Sequence, residues 1–177
     1  MRLVVGPENR LAAALDLAGP ADLIALCSPG GQGPPLEDPR IARRVLLTFN
    51  DIAAARDGLV APDATTIADL LAFADGAAVV VIYCFAGVSR STAAAYALAC
   101  QAAGPGAEAS LAAQLRDLSA AATPNPLMVA LADAALGREG RMVRAIAGIG
   151  RGGEAFEGPL FDWRVAPRGV DPRAGRL

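Results

Sequence analysis

Residues 79–97 read Val-Val-Val-Ile-Tyr-Cys-Phe-Ala-Gly-Val-Ser-Arg-Ser-Thr-Ala-Ala-Ala-Tyr-Ala, and this stretch decides the fold. The run from Ala78 to Tyr83 is rich in β-branched and aromatic residues, which is typical of a strand buried on both faces. From Ser91 onward the small apolar residues predict a buried helix. A sharp turn that begins at Cys84 must therefore lead from the end of a strand into a helix N-terminus.

This turn has the properties of an anion-binding loop. Gly87 lies in its middle and Arg90 lies at its end. In such a loop successive backbone N–H groups converge on one point, and the helix dipole adds partial positive charge. The guanidinium of Arg90 is a planar fork that fits two oxygens of a phosphate. The sequence therefore predicts a phosphate-binding loop with a thiol, Cys84, at its first position.

The spacing of Cys84, Arg90 and Ser91 resembles the Cys-x5-Arg-Ser/Thr loop of the cysteine-dependent protein tyrosine and dual-specificity phosphatases, bacterial tyrosine-phosphatase-like proteins included. With Gly also required at the third intervening position, this chain's composition produces the pattern by chance about once in six hundred cases. The resemblance implies that Cys84 is the nucleophile and that Ser91 donates to its sulfur when the phosphocysteine is hydrolysed. The implied phosphate-binding loop consists of Phe85, Ala86, Gly87, Val88, Ser89 and Arg90.

An aspartate is predicted to serve as the general acid. Asp51 directly follows a predicted strand and lies 33 residues before Cys84 (84 − 51). That spacing is similar to that of the dual-specificity phosphatases, whose general-acid Asp lies some thirty residues before the nucleophile. The alternative is a turn residue that bonds its own backbone.

Two further residues are predicted to support the loop. Asn125, in Thr123-Pro124-Asn125, resembles the family's Pro-Asn turn that packs under the phosphate loop, and a plain helix N-cap is an equal alternative. Position 83 is usually His in the family, where it hydrogen-bonds to the backbone near the cysteine. Tyr83 stands there in this chain and carries no positive charge. We therefore expect a less acidic Cys84 thiol than in the family's other members.

The composition restricts the possible chemistry. The 177 residues, 54% apolar and 19% charged, fit one compact domain. The sequence contains no His and no Lys, which excludes Ser-His or Cys-His catalytic pairs and His-ligated metal sites. We expect neither a metal nor a cofactor. The net charge of −2 indicates no nucleic-acid partner, and no apolar run is long enough to predict a membrane partner. Three cysteines, an odd number, fit reduced thiols and a cytoplasmic location.

The remaining pattern predicts an α/β fold in which helices cover a small, partly parallel central sheet. The predicted strands are residues 3–5, 22–27, 45–49 and 78–83. The predicted helices are residues 8–17, 65–74, 91–103, 108–121, 125–136 and one within 137–150. Residues 1–150 are expected to form a phosphatase-like domain, and residues 151–177 an extension without regular structure that folds back in part through its aromatic residues. The breaker-rich loop 28–35 is either a solvated connection or a rim of the active site.

We favour a phosphoric monoester hydrolase with a phosphocysteine intermediate. Its partner would be a phosphorylated protein or a small phosphomonoester, with phosphotyrosine or a similar aryl or alkyl phosphate as the reacting group. No basic residue lies between Cys84 and Arg90, and this favours simple monoesters over inositol polyphosphates. Two alternatives stay open: a pseudo-phosphatase that binds phosphoryl groups without turnover, and a rhodanese-like or arsenate-reductase-like cysteine enzyme. The sequence leaves the oligomeric state open.

Overall fold

The computed structural model describes residues 1–31, 33 and 38–167, and in them helices cover a five-stranded sheet. The strands are β1 (Arg2–Pro7), β2 (Ala21–Cys27), β3 (Ile41–Thr48), β4 (Val79–Cys84) and β5 (Phe161–Arg164). The helices are α1 (Leu11–Ala18), α2 (Ala64–Phe73), α3 (Arg90–Ala103), α4 (Glu108–Leu118), α5 (Pro126–Ala135) and α6 (Arg141–Ile149). A short 3-10 turn, Glu8–Arg10, precedes α1. Within this part of the chain no helix combines the length and the apolar character needed to cross a bilayer.

The sheet has the order β3-β2-β4-β1-β5, so that β4 lies at its centre. The strands β1, β2, β3 and β4 are parallel to their neighbours, whereas β5 is antiparallel to β1. Parallel strands all end at the same edge of the sheet. The ends of β2, β3 and β4 therefore meet at one edge, which is where open α/β sheets bind their ligands.

The predicted buried strand and buried helix are both confirmed. Along β4, the side chains of Val80, Ile82 and Cys84 pack into the larger core, which includes α2 to α6. Those of Val81 and Tyr83 pack on the opposite face with α1. The first eleven residues of α3 are all buried, and most of them are small. Small side chains let this helix lie close to the sheet.

The C-terminal extension contains a strand, so the prediction that it lacks regular structure is wrong for residues 161–164. There β5 pairs with β1. The indole nitrogen of Trp163 donates a hydrogen bond to Oε1 of Gln114 at 3.1 Å. The Asp162 carboxylate accepts hydrogen bonds from both Nε and Nη2 of Arg2. Phe161 and Trp163 fold back onto the domain as expected, whereas Phe156 is 83% exposed. The part of the prediction that concerns residues 168–177 lies outside the described residues.

The predicted elements preceding this extension are present, with shifted ends. The strand expected at 45–49 begins earlier, at Ile41, and the helix expected at 108–121 ends at Leu118. In the helix expected at 8–17, the first three residues form the 3-10 turn and the α-helix begins at Leu11. Of the loop 28–35, residues 32, 34 and 35 lie outside the described residues.

The N-terminus of α2 carries a capping box that can be tested. Oδ1 of Asp63 accepts hydrogen bonds from the amide and from the hydroxyl of Thr66, both at 2.8 Å. These two hydrogen bonds lower the pKa of Asp63 below its usual 3.8. Replacing a cap by Ala costs about 1 kcal/mol. Asp63→Ala should lower the free energy of unfolding by about this amount in urea denaturation at neutral pH.

The control for this test is Asp63→Asn, which keeps an acceptor oxygen and should stay close to wild type. Because the folded pKa is lowered, the charged cap stabilises the protein above pH 3.8 and loses this effect as the pH falls through the folded pKa. Equal stability losses in the two variants would show that the negative charge of Asp63, and not its acceptor oxygen, stabilises the helix.

Candidate active site

Cys84 ends β4 and lies at the base of the loop, with only 2% of its surface exposed. Its Sγ lies 3.2 Å from Oγ of Ser91, in the first turn of α3. The structure therefore brings together the predicted nucleophile and the hydroxyl predicted to donate to it. In the thiol form the sulfur donates to the hydroxyl, and in the thiolate form the hydroxyl must donate to the sulfur.

The loop turns four of its carbonyl groups outward. Each accepts a hydrogen bond from an amide outside the loop: Phe85 from Glu8 (3.3 Å), Ala86 from Gly158 (2.8 Å), Val88 from Thr123 (2.9 Å) and Ser89 from Asn125 (3.3 Å). In a planar trans peptide the N–H points opposite to the C=O. The amides that follow these carbonyls therefore face the inside of the loop, where they can bind an anion.

Gly87 allows the loop to pack directly against the end of β1. Its φ is +68°, in the left-handed region that favours glycine. A Cβ atom at this position would lie 2.6 Å from the backbone nitrogen of Pro7. Both the backbone conformation and the lack of space require glycine in the middle of the loop, where the sequence places it.

Arg90 is a buried cation held by the ends of two neighbouring strands. Only 5% of the residue is exposed. Its Nη1 donates to the Phe49 carbonyl at 3.0 Å, just beyond β3, and to Oγ of Ser28 at 3.3 Å, just beyond β2. Its Nε is buried and has no hydrogen-bond partner among residues 1–31, 33 and 38–167. An unpaired buried donor is costly, and an anion bound in the loop could satisfy it.

Ser28 belongs to the loop 28–35, whose role as an active-site rim was one of two alternatives. The contact between Ser28 and Arg90 supports the rim at this residue. Neither Ser28 nor the Phe49 carbonyl could be predicted specifically, because both contact a residue that is distant in the chain.

Asp51 lies next to the loop, as its spacing predicted. Its Oδ1 accepts Oγ–H of Ser89 at 2.8 Å and Nδ2–H of Asn125 at 2.7 Å, and its Oδ2 lies 4.0 Å from Nε of Arg90. The side chain is 36% exposed, so the carboxyl group remains open to solvent and to substrate. These contacts favour a site residue over a turn residue bonded to its own backbone.

Asn125 combines the two alternatives that the sequence left open. Its Oδ1 accepts the Met128 amide at 3.0 Å and so caps α5. Its Nδ2 donates to Asp51 and, at 3.2 Å, to the Ile52 carbonyl, while its backbone amide donates to Ser89. One residue therefore connects α5, the phosphate-binding loop and the segment that carries Asp51.

Tyr83 makes no hydrogen bond to the loop, so it lacks the contact that the resemblance implied for His at this position, and the less acidic Cys84 thiol stays a prediction. Alternate residues of a strand point to opposite faces, so Tyr83 lies on the α1 side of the sheet and Cys84 on the other. The Tyr83 hydroxyl is buried without a hydrogen-bond partner in the described part of the chain. Burial, followed by the nearby Cys27 and Glu8, raises the pKa of Tyr83 above its usual value.

The other two cysteines are free and buried, like Cys84. Cys27 packs with Tyr83 on the opposite face of the sheet from Cys84, and burial raises the pKa of its thiol. Cys100 lies in α3, where burial raises the pKa of its thiol to about 12. A thiol with a raised pKa is a poor nucleophile at neutral pH, so neither is suited to replace Cys84.

A groove of about 310 Å³ opens beside Asp51. One side is formed by the loop and the turn before α5, with Val88, Ser89, Thr123, Asn125 and Pro126. The other side comes from the C-terminal extension, with Arg151, Gly153, Glu154 and Ala155. None of these four residues was predicted to belong to the site, since a Gly-rich segment shows no periodicity that would indicate a contact.

Comparison with known proteins identifies the fold. No protein-family model and no curated protein matches this chain. The crystal structure of human DUSP28 is similar with a TM-score of 0.53 and 21% sequence identity, over 76% of this chain and 88% of that chain. A mouse putative dual specificity phosphatase, solved as a complex with zinc tungstate, is similar with a TM-score of 0.47 and 22% identity, over 76% of this chain and 80% of that chain. The chain has the α/β fold of the dual-specificity phosphatases, as expected.

The position of Tyr83 leads to a prediction for the stability of the protein and for the ionisation of Cys84. Tyr83→Phe removes a buried hydroxyl that makes no hydrogen bond in the described structure, so the free energy of unfolding should stay the same or rise slightly. The pH dependence of Cys84 alkylation by iodoacetate should also be unchanged, because the ring lies on the opposite face of the sheet. A displaced alkylation curve would show that the Tyr83 hydroxyl does act on the thiol.

Proposed function

We propose that this protein is a phosphatase that hydrolyses phosphoric monoesters through a phosphocysteine intermediate on Cys84. The observation that carries the proposal is the buried guanidinium of Arg90, whose Nε has no hydrogen-bond partner among the described residues and which follows a loop with inward-facing amides. A thiol at the base of such a loop faces a site built for a dianion. The dual-specificity phosphatase fold supports this assignment.

In the first step the Cys84 thiolate attacks phosphorus. A sulfur–phosphorus bond forms while the bond from phosphorus to the leaving oxygen breaks. The loop amides and Arg90 bind the three remaining phosphoryl oxygens and stabilise the charge that they carry in the transition state. Asp51, protonated for this step, donates its proton to the leaving oxygen.

In the second step water hydrolyses the phosphocysteine. Asp51, now a carboxylate, accepts a proton from the attacking water, and the oxygen–phosphorus bond forms as the sulfur–phosphorus bond breaks. The electron pair returns to the sulfur. Ser91, whose Oγ lies 3.2 Å from Sγ, donates to the sulfur and makes it a better leaving group. The step releases inorganic phosphate and regenerates the thiolate.

The groove beside Asp51 is the proposed place of the leaving group, because the general acid must reach the leaving oxygen. Its apolar lining residues Val88, Pro126 and Ala155 suit an aryl ring. Phe85, in the loop itself, is 64% exposed and offers a further aromatic surface. These features support phosphotyrosine, in a protein or in a smaller molecule, as the substrate class. The free thiols fit a reducing, cytoplasmic setting.

Replacing the nucleophile tests the covalent mechanism. Cys84→Ser should lose hydrolysis of an aryl phosphate, because a hydroxyl is a far weaker nucleophile than a thiolate at neutral pH. It should still bind inorganic phosphate, measured by calorimetry, because the amides and Arg90 remain. Cys100→Ser is the matched control, since Cys100 lies on α3 in the hydrophobic core. This variant should keep the wild-type rate.

Two results would contradict this. Residual activity of Cys84→Ser within tenfold of wild type would end the covalent mechanism. A wild-type protein that binds phosphate but hydrolyses no aryl phosphate at any pH would be a phosphoryl-binding module instead.

The general acid is tested by its dependence on the leaving group. Asp51→Asn cannot donate the proton, and its rate should fall by about 10² to 10⁴ for a poorly acidic alcohol leaving group. For an acidic phenol, which needs little protonation, the loss should be much smaller. Asp57→Asn, an exposed residue of the same segment, is the control and should match wild type. If Asp51→Asn slows all leaving groups equally, another carboxyl group is the acid.

A further inference from the structure

The C-terminal strap, residues 151–160, crosses the domain between two sets of anchors. Near its start, the Gly152 amide donates to Oγ1 of Thr123 at 3.1 Å, and the Gly153 amide donates to the Ala120 carbonyl at 2.9 Å. At its other end it continues into β5, which is hydrogen-bonded to β1. Both ends of the strap are therefore anchored, and the residues between them pass beside the phosphate-binding loop.

Within the strap, Gly158 contacts the phosphate-binding loop directly. Its amide donates to the Ala86 carbonyl at 2.8 Å. A Cβ atom at Gly158 would lie 2.6 Å from the Gly87 carbonyl oxygen and 3.2 Å from the Gly87 carbonyl carbon. The φ of Gly158 is not in the left-handed region, so only the lack of space requires glycine here.

The loop is held between two chain segments at this point. On one side Gly87 packs against the nitrogen of Pro7, at the end of β1. On the other side Gly158 packs against Gly87. The same two segments also contact each other, since a Cβ at Gly6 would lie 3.1 Å from Cδ1 of Leu160. The position of the loop backbone therefore depends on the strap as well as on the sheet.

We propose that Gly158 is a positioning residue for the reaction proposed above, on which this inference rests. Its hydrogen bond holds the Ala86 carbonyl outward, and the same peptide plane then turns the Gly87 amide inward toward the phosphoryl oxygens. A rotation of this peptide would replace an inward N–H by an inward C=O. That exchange would put partial negative charge beside both the thiolate and the phosphate.

Gly158→Ala is the direct test. The added methyl group must push the Gly87 carbonyl and the strap apart, which breaks the hydrogen bond from the Gly158 amide to the Ala86 carbonyl and frees the peptide that orients the Gly87 amide. The loss of one oriented donor costs about 10² to 10³ in kcat where such a donor has been removed. Because the donor is displaced and not deleted, we expect a fall of at least about tenfold in kcat/KM and a comparable weakening of phosphate binding. The alkylation of Cys84 by iodoacetate should move to higher pH, since fewer amides favour the thiolate.

Two controls separate positioning from stability. Gly148→Ala, in α6, meets no atom within 4 Å and should match wild type in kcat/KM, phosphate affinity and the alkylation curve. Trp163→Phe loses the hydrogen bond to Gln114 and buried volume without touching the loop. It should lower the melting temperature while phosphate affinity and the alkylation curve stay as in wild type.

The outcomes are distinct for the inference and for the proposed function. Unchanged phosphate affinity and an unchanged alkylation curve in folded Gly158→Ala would overturn the inference, whatever the wild-type rate. If that variant does not fold, Glu157→Ala decides, because it removes the exposed bonds from Asn9 that hold the strap beside Gly158. Weaker phosphate binding then supports the inference, and wild-type affinity overturns it. A wild type without hydrolysis would end the proposed function but leave the binding comparison valid.

Discussion

The outward orientation of the loop carbonyls is the constraint on which the site depends. An anion can be bound by backbone amides only if the neighbouring carbonyls find donors elsewhere, since a buried unpaired carbonyl is costly. Here the donors are the amides of Glu8, Thr123, Asn125 and Gly158. They come from the end of β1, the turn before α5 and the C-terminal strap. Each bond contributes only about 0.5–1.5 kcal/mol to stability, but together they determine which way the loop dipoles point.

A second constraint is the burial of Arg90, which requires acceptors from the ends of two other strands. The Phe49 carbonyl follows β3 and the Ser28 hydroxyl follows β2, while Arg90 itself follows β4 through the loop. Parallel strands place these ends at one edge of the sheet, so the strand order β3-β2-β4 is what brings the three groups within hydrogen-bond distance. The sheet therefore positions the guanidinium as much as the loop does.

The sequence predicted the parts of the site that depend on local pattern. The strand, the loop glycine and the buried helix around Cys84 follow from periodicity and composition, and the position of Asp51 followed from a family spacing. Gly158 and Ser28 could not be predicted, because their roles arise from contacts with residues that lie more than sixty positions away and both belong to segments rich in Gly and Pro. The edge strand β5 was missed for the same reason: four residues between breakers show too little alternation to indicate a strand.

The placement of Tyr83 could have been predicted from the alternation of the strand. Successive residues of a strand point to opposite faces, so position 83 cannot share the face of Cys84. Any ring at that position lies on the α1 side, next to Cys27. The hydrogen bond that the sulfur makes is with Ser91, in the first turn of α3. Tyr83 therefore packs against Cys27 and the α1 side of the sheet, whereas the hydrogen-bond partner of the Cys84 sulfur, Ser91, lies on the other side.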